Sequence, residues 1–130
     1  MTILLVEDDP DIRSLIENYF SKDEDIHLHM VESGSDAVGQ SLTNHFDLII
    51  LDLHLPDIGG LDILPVLRGS LPRAVIAVVS GHTELVTDDD LNVADTVISK
   101  PYDLSTMEAL VVETREINSR RMRIRNLGIS

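Results

Sequence analysis

The sequence predicts an α/β fold in which helices cover both faces of a parallel β-sheet. Short apolar runs alternate with segments of helix length five times along the chain. Three of these runs are apolar almost throughout, as is typical of parallel strands that are buried on both faces. The second run alternates apolar residues with histidines, which favours an edge strand. The predicted strands span residues 2–6, 26–31, 47–51, 74–79 and 96–98.

The first two helices are predicted from their caps and from the spacing of their apolar residues. Asp9 is a favourable N-cap, and Pro10 is tolerated at the first helical position because the missing N–H would have no partner there. The second helix is predicted over residues 35–43. The residues predicted to face inward are Ile12, Leu15, Ile16, Tyr19 and Phe20 in the first helix, and Ala37, Val38 and Leu42 in the second.

The remaining helices differ in how clearly the sequence predicts them. The third begins near Gly60, and Pro65 inside it predicts a short or bent helix because proline removes a backbone hydrogen bond. Residues 83–94 form the weakest segment, since three consecutive aspartates at 88–90 interrupt any apolar stripe. The last helix is predicted over residues 104–125. The inward residues are Leu61, Leu64 and Leu67 in the third helix, and Met107, Leu110, Val111, Thr114 and Ile117 in the last.

Composition and charge exclude several classes of protein. The chain has 130 residues, the length of one domain, and its lack of cysteine excludes disulfides and thiolate chemistry. Its net charge is −13, and residues 1–114 hold 22 acids against 5 bases, which argues against direct nucleic-acid binding. The sequence does not begin with the basic segment of a signal peptide, and no apolar run is long enough to span a membrane. We therefore expect a cytoplasmic domain.

The end of the sequence has the opposite charge. Residues 115–130 hold 5 bases against 1 acid. Basic residues are favourable near the C-terminus of a helix because they complement the helix dipole, so a solvated helix end explains them. A linker or a partner-docking segment is the alternative. We expect one domain over residues 1–118 and a basic helical extension or linker over residues 119–130.

Charged and hydroxyl side chains follow four of the five predicted strands. In an open parallel sheet, the carboxyl ends of the strands form the edge at which ligands bind. Neighbouring carboxylates repel one another unless a cation lies between them, and an oxygen-only set of ligands suits Mg²⁺. An aspartate can also accept a phosphoryl group, a transfer that requires mostly positioning and charge neutralisation. The side chains are Glu7 and Asp8 after strand 1, Asp52 after strand 3, Ser80 after strand 4 and Lys100 after strand 5.

Four motifs carry these residues and occur in a fixed order along the chain. They are Val6-Glu7-Asp8-Asp9-Pro10, Asp52-Leu53-His54-Leu55-Pro56-Asp57-Ile58-Gly59-Gly60, Ser80-Gly81 and Lys100-Pro101-Tyr102. Together they resemble the receiver domain of two-component response regulators over about residues 1–118. The resemblance implies a flavodoxin-like fold, a five-stranded parallel sheet of order 2-1-3-4-5 with helices on both faces. It also implies a signalling module that is phosphorylated by a histidine kinase or phosphotransfer protein and turns over no external substrate.

Carried over residue by residue, the resemblance implies a role for each acidic position. Asp52 would be the phosphoacceptor and would also contact the metal ion, Mg²⁺ or Mn²⁺. Asp8 would bind this ion directly, and Glu7 would do so mainly through water. The backbone carbonyl of His54 would be a further metal ligand.

The resemblance also assigns the residues around the phosphoryl group. Ser80 would be the switch hydroxyl, and Lys100 would face the phosphoryl group. The Lys100–Pro101 bond is a candidate cis peptide. His54 and His82 would line the mouth of the site and influence the lifetime of the phosphoryl group. An output partner would bind the face formed by helix 4, strand 5 and helix 5, and a homodimer is a further arrangement.

Three features depart from the family pattern. Val97 stands where receivers usually carry an aromatic residue, the interval from Ser80 to Lys100 is about two residues short, and Gly59 replaces a more usual Asp or Asn. Valine is stiff at χ1 and has no ring to move between exposed and buried positions. We therefore expect switching to depend on ordering residues 83–92, a segment that should be short, irregular or mobile without phosphate.

Three other functions compete with this hypothesis. A pseudo-receiver that acts only by docking should have lost one of the chemical residues, and all five are present. A phosphatase of the haloacid dehalogenase type would require a second acid two residues after Asp52, where His54 stands. A flavodoxin-like cofactor binder would require a glycine-rich phosphate loop after the first strand, and none follows it.

Overall fold

The computed structural model describes residues 1–128 and confirms the predicted parallel sheet. The strands are β1 (Thr2–Val6), β2 (His27–Val31), β3 (Leu48–Asp52), β4 (Val75–Ser80) and β5 (Thr96–Ser99). They lie in the order β2-β1-β3-β4-β5, as the resemblance implied. The register pairs Val6 with Leu51 and Asp52 with Val79, so that the carboxyl ends of β1, β3 and β4 reach the same edge of the sheet.

Five helices connect and follow the strands: α1 (Pro10–Phe20), α2 (Gly34–Thr43), α3 (Gly60–Ser70), α4 (Asp88–Leu91) and α5 (Leu104–Leu127). The predicted start of α1 is confirmed, because the Asp9 carboxylate accepts a hydrogen bond from the backbone N–H of Asp11. The proline inside α3 does not shorten the helix, which continues past Pro65 to Ser70. Packing of its apolar face on the sheet outweighs the missing backbone hydrogen bond.

Separate apolar clusters lie on the two faces of the sheet, because successive residues of a strand point to opposite sides. One cluster lies under α2 and α3 and includes Leu4, Ile49, Ala37, Leu64 and Leu67. The other lies under α1 and α5 and includes Ile3, Ile50, Ile16, Phe20 and Met107. Both clusters use the central strands, which are therefore rigid supports for the side chains that follow them.

Two residues that were predicted to face inward are exposed. Leu42 is 70% exposed, and the buried positions of α2 are instead Gly34, Ala37 and Ser41. Leu42 lies one helical position, about 100°, beyond Ser41 and therefore points off this face. Leu15 is 55% exposed for the same reason, since it lies one position before the buried Ile16.

The segment after β4 is short and irregular, as predicted. It contains a single 3₁₀ turn (Thr83–Leu85) and the four-residue helix α4, and neither element contains a buried residue. A capping box between Thr87 and Asp90 holds the turn of α4. The fold therefore has a weakly packed stretch directly after the strand that ends at Ser80.

The last helix is the longest element, with 24 residues. Its first half packs on the sheet through Met107, Val111 and Thr114, whereas every residue from Ser119 to Gly128 is exposed. Residues 129 and 130, the last two of the predicted extension, lie outside the described part of the chain. Within residues 1–128, no helix combines the length and the apolar composition that crossing a membrane requires.

Candidate functional site

Three carboxylates meet at the carboxyl edge of the sheet. Glu7 and Asp8 follow the last residue of β1, and Asp52 ends β3, the strand that pairs with β1. One ligand oxygen from each residue lies within 4.8 Å of the other two. Glu7 and Asp52 are only 2% and 3% exposed, whereas Asp8 is exposed. The structure thus brings the three predicted acids together and leaves one of them open to solvent.

Asp52 accepts hydrogen bonds on both of its carboxylate oxygens. The backbone N–H of His54 donates to Oδ1 at 2.8 Å, and Lys100 Nζ donates to Oδ2 at 2.7 Å. Lys100 Nζ also lies 3.8 Å from Glu7 Oε1. The backbone N–H of Lys100 bonds the carbonyl of Ser80, which fixes the end of β5 beside β4. Residues that are distant in sequence therefore form one charged cluster.

Burial and proximity move the pKa values of the two buried carboxyls in opposite directions. Desolvation raises the pKa of Glu7 to about 8, and the hydrogen bond and charge of Asp52 add to this effect. Burial also raises the pKa of Asp52, but hydrogen bonds from Glu7, Lys100 and His54 outweigh it, and the net pKa lies below the usual value. The proton of this pair therefore resides on Glu7 when no cation is bound.

Lys100 remains a cation in this cluster. Burial lowers the pKa of its ammonium group, but the hydrogen bond to Asp52 and the charges of Asp52, Glu7 and Asp8 together raise it above the usual value. A lysine that stays protonated beside the phosphoacceptor candidate can neutralise developing negative charge.

The cluster has the properties of a cation site. Glu7 Oε2 is buried and has no hydrogen-bond partner among residues 1–128. An unpaired buried carboxylate oxygen is costly, and two close carboxylates repel each other when both are ionised. A divalent cation among Glu7, Asp8 and Asp52 would relieve both problems. The oxygen-only donors and the exposed side chain of Asp8 suit Mg²⁺, which keeps several of its waters.

Ser80 and two histidines lie around the same edge. Ser80 is buried, and its Oγ accepts a hydrogen bond from the backbone N–H of His82 at 2.9 Å. The rings of His54 and His82 lie 5.6 Å apart in an edge-to-face arrangement, and both residues are exposed. The predicted cis peptide bond between Lys100 and Pro101 is confirmed.

Three further residues support the site but received no role from the sequence. Tyr102 is half-buried, and desolvation, followed by the charges of Glu7 and Asp52, raises the pKa of its hydroxyl to about 12. Arg13 donates hydrogen bonds to the backbone of the loop after β1, and Asp57, in the loop after β3, accepts hydrogen bonds from the start of α2. Tyr102 and Asp57 belong to the motifs quoted above, but nothing in a motif indicates which neighbour a side chain contacts.

Comparison with known proteins agrees with this geometry. The family model of the response regulator receiver domain matches residues 3–112. The cell cycle transcriptional regulator CtrA of Caulobacter vibrioides is 33% identical over 113 residues, which is 85% of this chain and 48% of CtrA. The chain belongs to the receiver domains of two-component response regulators. It spans about half the length of the curated relatives that it matches.

Solved structures show the same fold. The response regulator TrrA of Thermotoga maritima, in complex with Mg²⁺ and BeF, superposes with a TM-score of 0.77 at 25% identity, covering 87% of this chain and 97% of TrrA. TrrA in complex with the histidine kinase ThkA of Thermotoga maritima superposes with a TM-score of 0.75 at 25% identity and the same coverage.

Proposed function

We propose that this domain accepts a phosphoryl group on Asp52 from a histidine kinase or a phosphotransfer protein, in a reaction that requires Mg²⁺ or Mn²⁺. The observation that carries the proposal is the arrangement around Asp52, where Glu7 and Asp8 offer carboxylate oxygens within 4.8 Å and Lys100 Nζ donates to Oδ2 at 2.7 Å. The complexes of TrrA with Mg²⁺–BeF and with the kinase ThkA support the same reaction class in a relative.

The proposed step is a transfer between two nucleophiles. A carboxylate oxygen of Asp52 forms a new P–O bond while the P–N bond of the donor phosphohistidine breaks, and the imidazole leaves with the bonding electron pair. The low pKa of Asp52 keeps its carboxylate ionised and available for this attack. Mg²⁺, when bound, neutralises charge on the carboxylates and the phosphoryl oxygens. Its proposed ligands are Glu7, Asp8, Asp52 and the backbone carbonyl of His54.

Lys100 and Ser80 act after the phosphoryl group arrives. The Asp52 carboxylate that bonds Lys100 becomes an acyl phosphate when the transfer is complete. The ammonium group of Lys100 can then turn to a phosphoryl oxygen. Ser80 Oγ can rotate to donate a hydrogen bond to another phosphoryl oxygen. Because Ser80 also holds the backbone N–H of His82, this movement would pull on the segment that follows β4.

We propose a signalling role without turnover of an external substrate, in the cytoplasm. The output partner would bind the face formed by α4, β5 and α5, either as a separate protein or as a further domain of a longer chain. A homodimer through this face is a second arrangement of the same surface. In this view, residues 1–118 form the receiver domain, and residues 119–130 form a basic helical extension or linker.

Mass spectrometry after treatment with acetyl phosphate and Mg²⁺ tests the proposal. We expect one added phosphoryl group, which is absent in Asp52→Asn and in the wild-type protein treated with EDTA. Asp25→Asn, a matched change at an exposed aspartate two residues before β2, should retain the added group. Labelling of Asp52→Asn, or full labelling in EDTA, would overturn the assignment of Asp52 or of the metal.

A further inference from the structure

Each of the two loops that supply the acidic cluster is bound by one charged side chain that lies outside the cluster. The loop after β1 contains Glu7 and Asp8, and the guanidinium of Arg13 in α1 binds its backbone. The loop after β3 contains His54, and Asp57 in that loop binds the start of α2. Neither Arg13 nor Asp57 belongs to the group of residues whose oxygens converge.

Arg13 fixes two consecutive carbonyls. Its Nη1 donates to the carbonyl of Glu7 at 3.0 Å and to that of Asp8 at 2.9 Å, while Nη2 lies 3.0 Å from Glu32 Oε1. The Arg13 side chain is only 17% exposed, so these bonds are partly shielded from water. A planar guanidinium with several donors in fixed directions holds both peptide groups in one orientation. With the backbone held in this way, the side chains of Glu7 and Asp8 each keep an oxygen within 4.8 Å of an Asp52 oxygen.

Asp57 fixes the other loop to a neighbouring helix. Its Oδ1 accepts from the backbone N–H of Gly34 at 2.8 Å, and its Oδ2 accepts from the N–H of Ser35 at 3.0 Å and from the Ser35 hydroxyl at 2.8 Å. These bonds hold the pKa of Asp57 far below its usual value, so the group stays ionised. A Cβ at Gly34 would lie 3.2 Å from the Cβ of Ile58, which shows how closely the loop approaches the helix.

We propose that Arg13 and Asp57 are positioning residues for the divalent cation, and this inference rests on the proposed function. Each holds one ligand-bearing loop in the conformation that binds metal, so less free energy is lost in ordering the loops when the ion binds. Neither side chain touches the ion or the phosphoryl group. Their effect should therefore fall on metal affinity and less on the rate at saturating metal.

The direction in which Arg13→Ala changes the Mg²⁺ affinity distinguishes a positioning role from a purely electrostatic one. Arg13 is a cation near a cation site, so its removal would strengthen Mg²⁺ binding if only electrostatics mattered. Positioning predicts the opposite, a weaker affinity in Arg13→Ala. For Asp57 the distinction comes from Asp57→Asn, which also removes the charge but keeps one acceptor oxygen for the backbone N–H of Gly34.

Calorimetric titration of the full chain with Mg²⁺ tests the inference. We expect Arg13→Ala and Asp57→Ala to bind Mg²⁺ about 10-fold more weakly, with Asp57→Asn between Asp57→Ala and wild type. Phosphorylation by acetyl phosphate should approach the wild-type rate when Mg²⁺ is saturating. Two matched controls should bind Mg²⁺ like wild type. Arg115→Ala removes an ion pair with Asp23, and Ser33→Ala removes the N-cap of α2 without touching the loop.

Thermal unfolding without Mg²⁺ separates loss of affinity from loss of folding. Should an alanine variant not fold, Arg13→Lys and Asp57→Asn keep part of the hydrogen bonding and carry the same test. Unchanged or tighter Mg²⁺ binding in the Arg13 variants, or an equal loss in Ser33→Ala, would overturn the inference while leaving the proposed function intact. A wild-type protein that neither binds Mg²⁺ nor becomes phosphorylated would instead overturn the proposed function itself.

Discussion

The ends of β1, β3 and β5 differ sharply from the segment that follows β4, although all four lie at the same edge of the sheet. At the first three ends, two buried carboxylates and a lysine form one charged cluster, Arg13 binds the loop after β1, and Asp57 ties the loop after β3 to α2. After β4, residues 83–92, which we call the weak segment, are held mainly by local turns, and Leu85 and Leu91 within them are 62% and 47% exposed.

We infer from this difference that the acidic edge is suited to the proposed phosphoryl transfer, whereas the weak segment is suited to respond to it. Phosphoryl transfer requires groups held in fixed positions, because positioning supplies much of the acceleration. A response requires a part of the protein that changes at low cost, and poorly packed segments open and close most easily. Packing resumes abruptly after the weak segment, where Arg68 bonds the carbonyls of Val93 and Ala74 and pairs with Asp95. The weak segment is therefore bounded by rigid structure on both sides.

Among variants that keep Asp52, the largest effect on phosphorylation is expected from Lys100→Ala, which removes the cation from the acidic edge. The variant loses the 2.7 Å bond to Asp52 and leaves no ammonium to stabilise the transferred group. We expect the rate of phosphorylation by acetyl phosphate to fall by about 10²-fold, the typical cost of losing one preorganised charge stabiliser. Lys22→Ala, at an exposed lysine between α1 and β2, is the control. A Lys100→Ala rate equal to wild type would show that the lysine has no chemical role.

A second test compares two glycines of α3, one packed against the acidic edge and one near the other end of the helix. A Cβ at Gly60 would lie 2.7 Å from the Cα of Leu53 and 2.9 Å from the carbonyl oxygen of Asp52, so Gly60→Ala must move the loop that follows Asp52. We expect Gly60→Ala to lower the free energy of unfolding by about 1–3 kcal/mol. At Gly69, also in α3, a Cβ would meet none of the described atoms within 4 Å.

Gly69→Ala should therefore raise the free energy of unfolding by about 0.5–1 kcal/mol, because alanine is the better helix former. Urea denaturation measures both values. Equal effects at the two glycines would contradict the tight packing inferred at the acidic edge.

The proton on Glu7 predicts a pH dependence of stability in the absence of metal. The folded pKa is about 8, against an ordinary value of 4.5. Between these values the folded protein keeps a proton that the unfolded chain has lost, so the free energy of unfolding falls as pH rises through this window. The slope from this group is at most about 1.4 kcal/mol per pH unit.

Urea denaturation at several pH values within the window measures this slope, and Glu7→Gln should flatten it. Saturating Mg²⁺ should flatten it as well, because the ion favours the ionised form of Glu7. A slope that is the same in wild type and Glu7→Gln would show that other groups produce it. The low pKa of Asp52 acts in a separate range, since that effect is lost only as pH falls below the ordinary value of 3.8.

Much of the site was predictable because parallel strands bring their carboxyl ends together. Once the strands are assigned, Glu7, Asp52 and Lys100 must lie at one edge whatever the details of the loops. The raised pKa of Glu7 and the lowered pKa of Asp52 were not predictable, since they depend on how deeply each side chain is buried and on its hydrogen bonds. The roles of Arg13 and Asp57 were missed for a related reason. Asp57 bonds residues 22 and 23 positions away, and such contacts depend on how closely a loop approaches a helix.

The fold shows the same division between general rules and local detail. The positions of strands and helices follow from periodicity and caps, whereas the strand order was implied by the family resemblance, and the structure agrees with both. The errors fall at the margins of helix faces, where Leu15 and Leu42 are exposed. An apolar residue one position from a buried face fits the sequence pattern as well as an inward one, because periodicity gives a direction only to within about 100° per residue.

The smallest energetic effect is expected in the weak segment. Leu85→Ser removes an exposed apolar side chain and should change the free energy of unfolding by less than about 0.5 kcal/mol. A matched change at a buried leucine, Leu64→Ala, should cost about 2–5 kcal/mol. Urea denaturation compares the two. A cost for Leu85→Ser near that of Leu64→Ala would show that the segment is packed after all.

The weak segment should also gain order when Asp52 is phosphorylated. Val97 offers no ring to follow the movement of Ser80, whereas the hydrogen bond from the His82 N–H to Ser80 Oγ links that hydroxyl directly to the start of the segment. Drawing Ser80 toward a phosphoryl group would break or redirect this bond and give residues 83–92 a new arrangement.

Amide hydrogen exchange with and without beryllofluoride measures the order of residues 83–92, and we expect slower exchange there in the complex. Ser80→Ala should bind beryllofluoride and show a smaller gain, since Asp52 remains but the linking hydroxyl is gone. Equal protection of the segment in both states of the wild-type protein would mean that the signal leaves the site by another route.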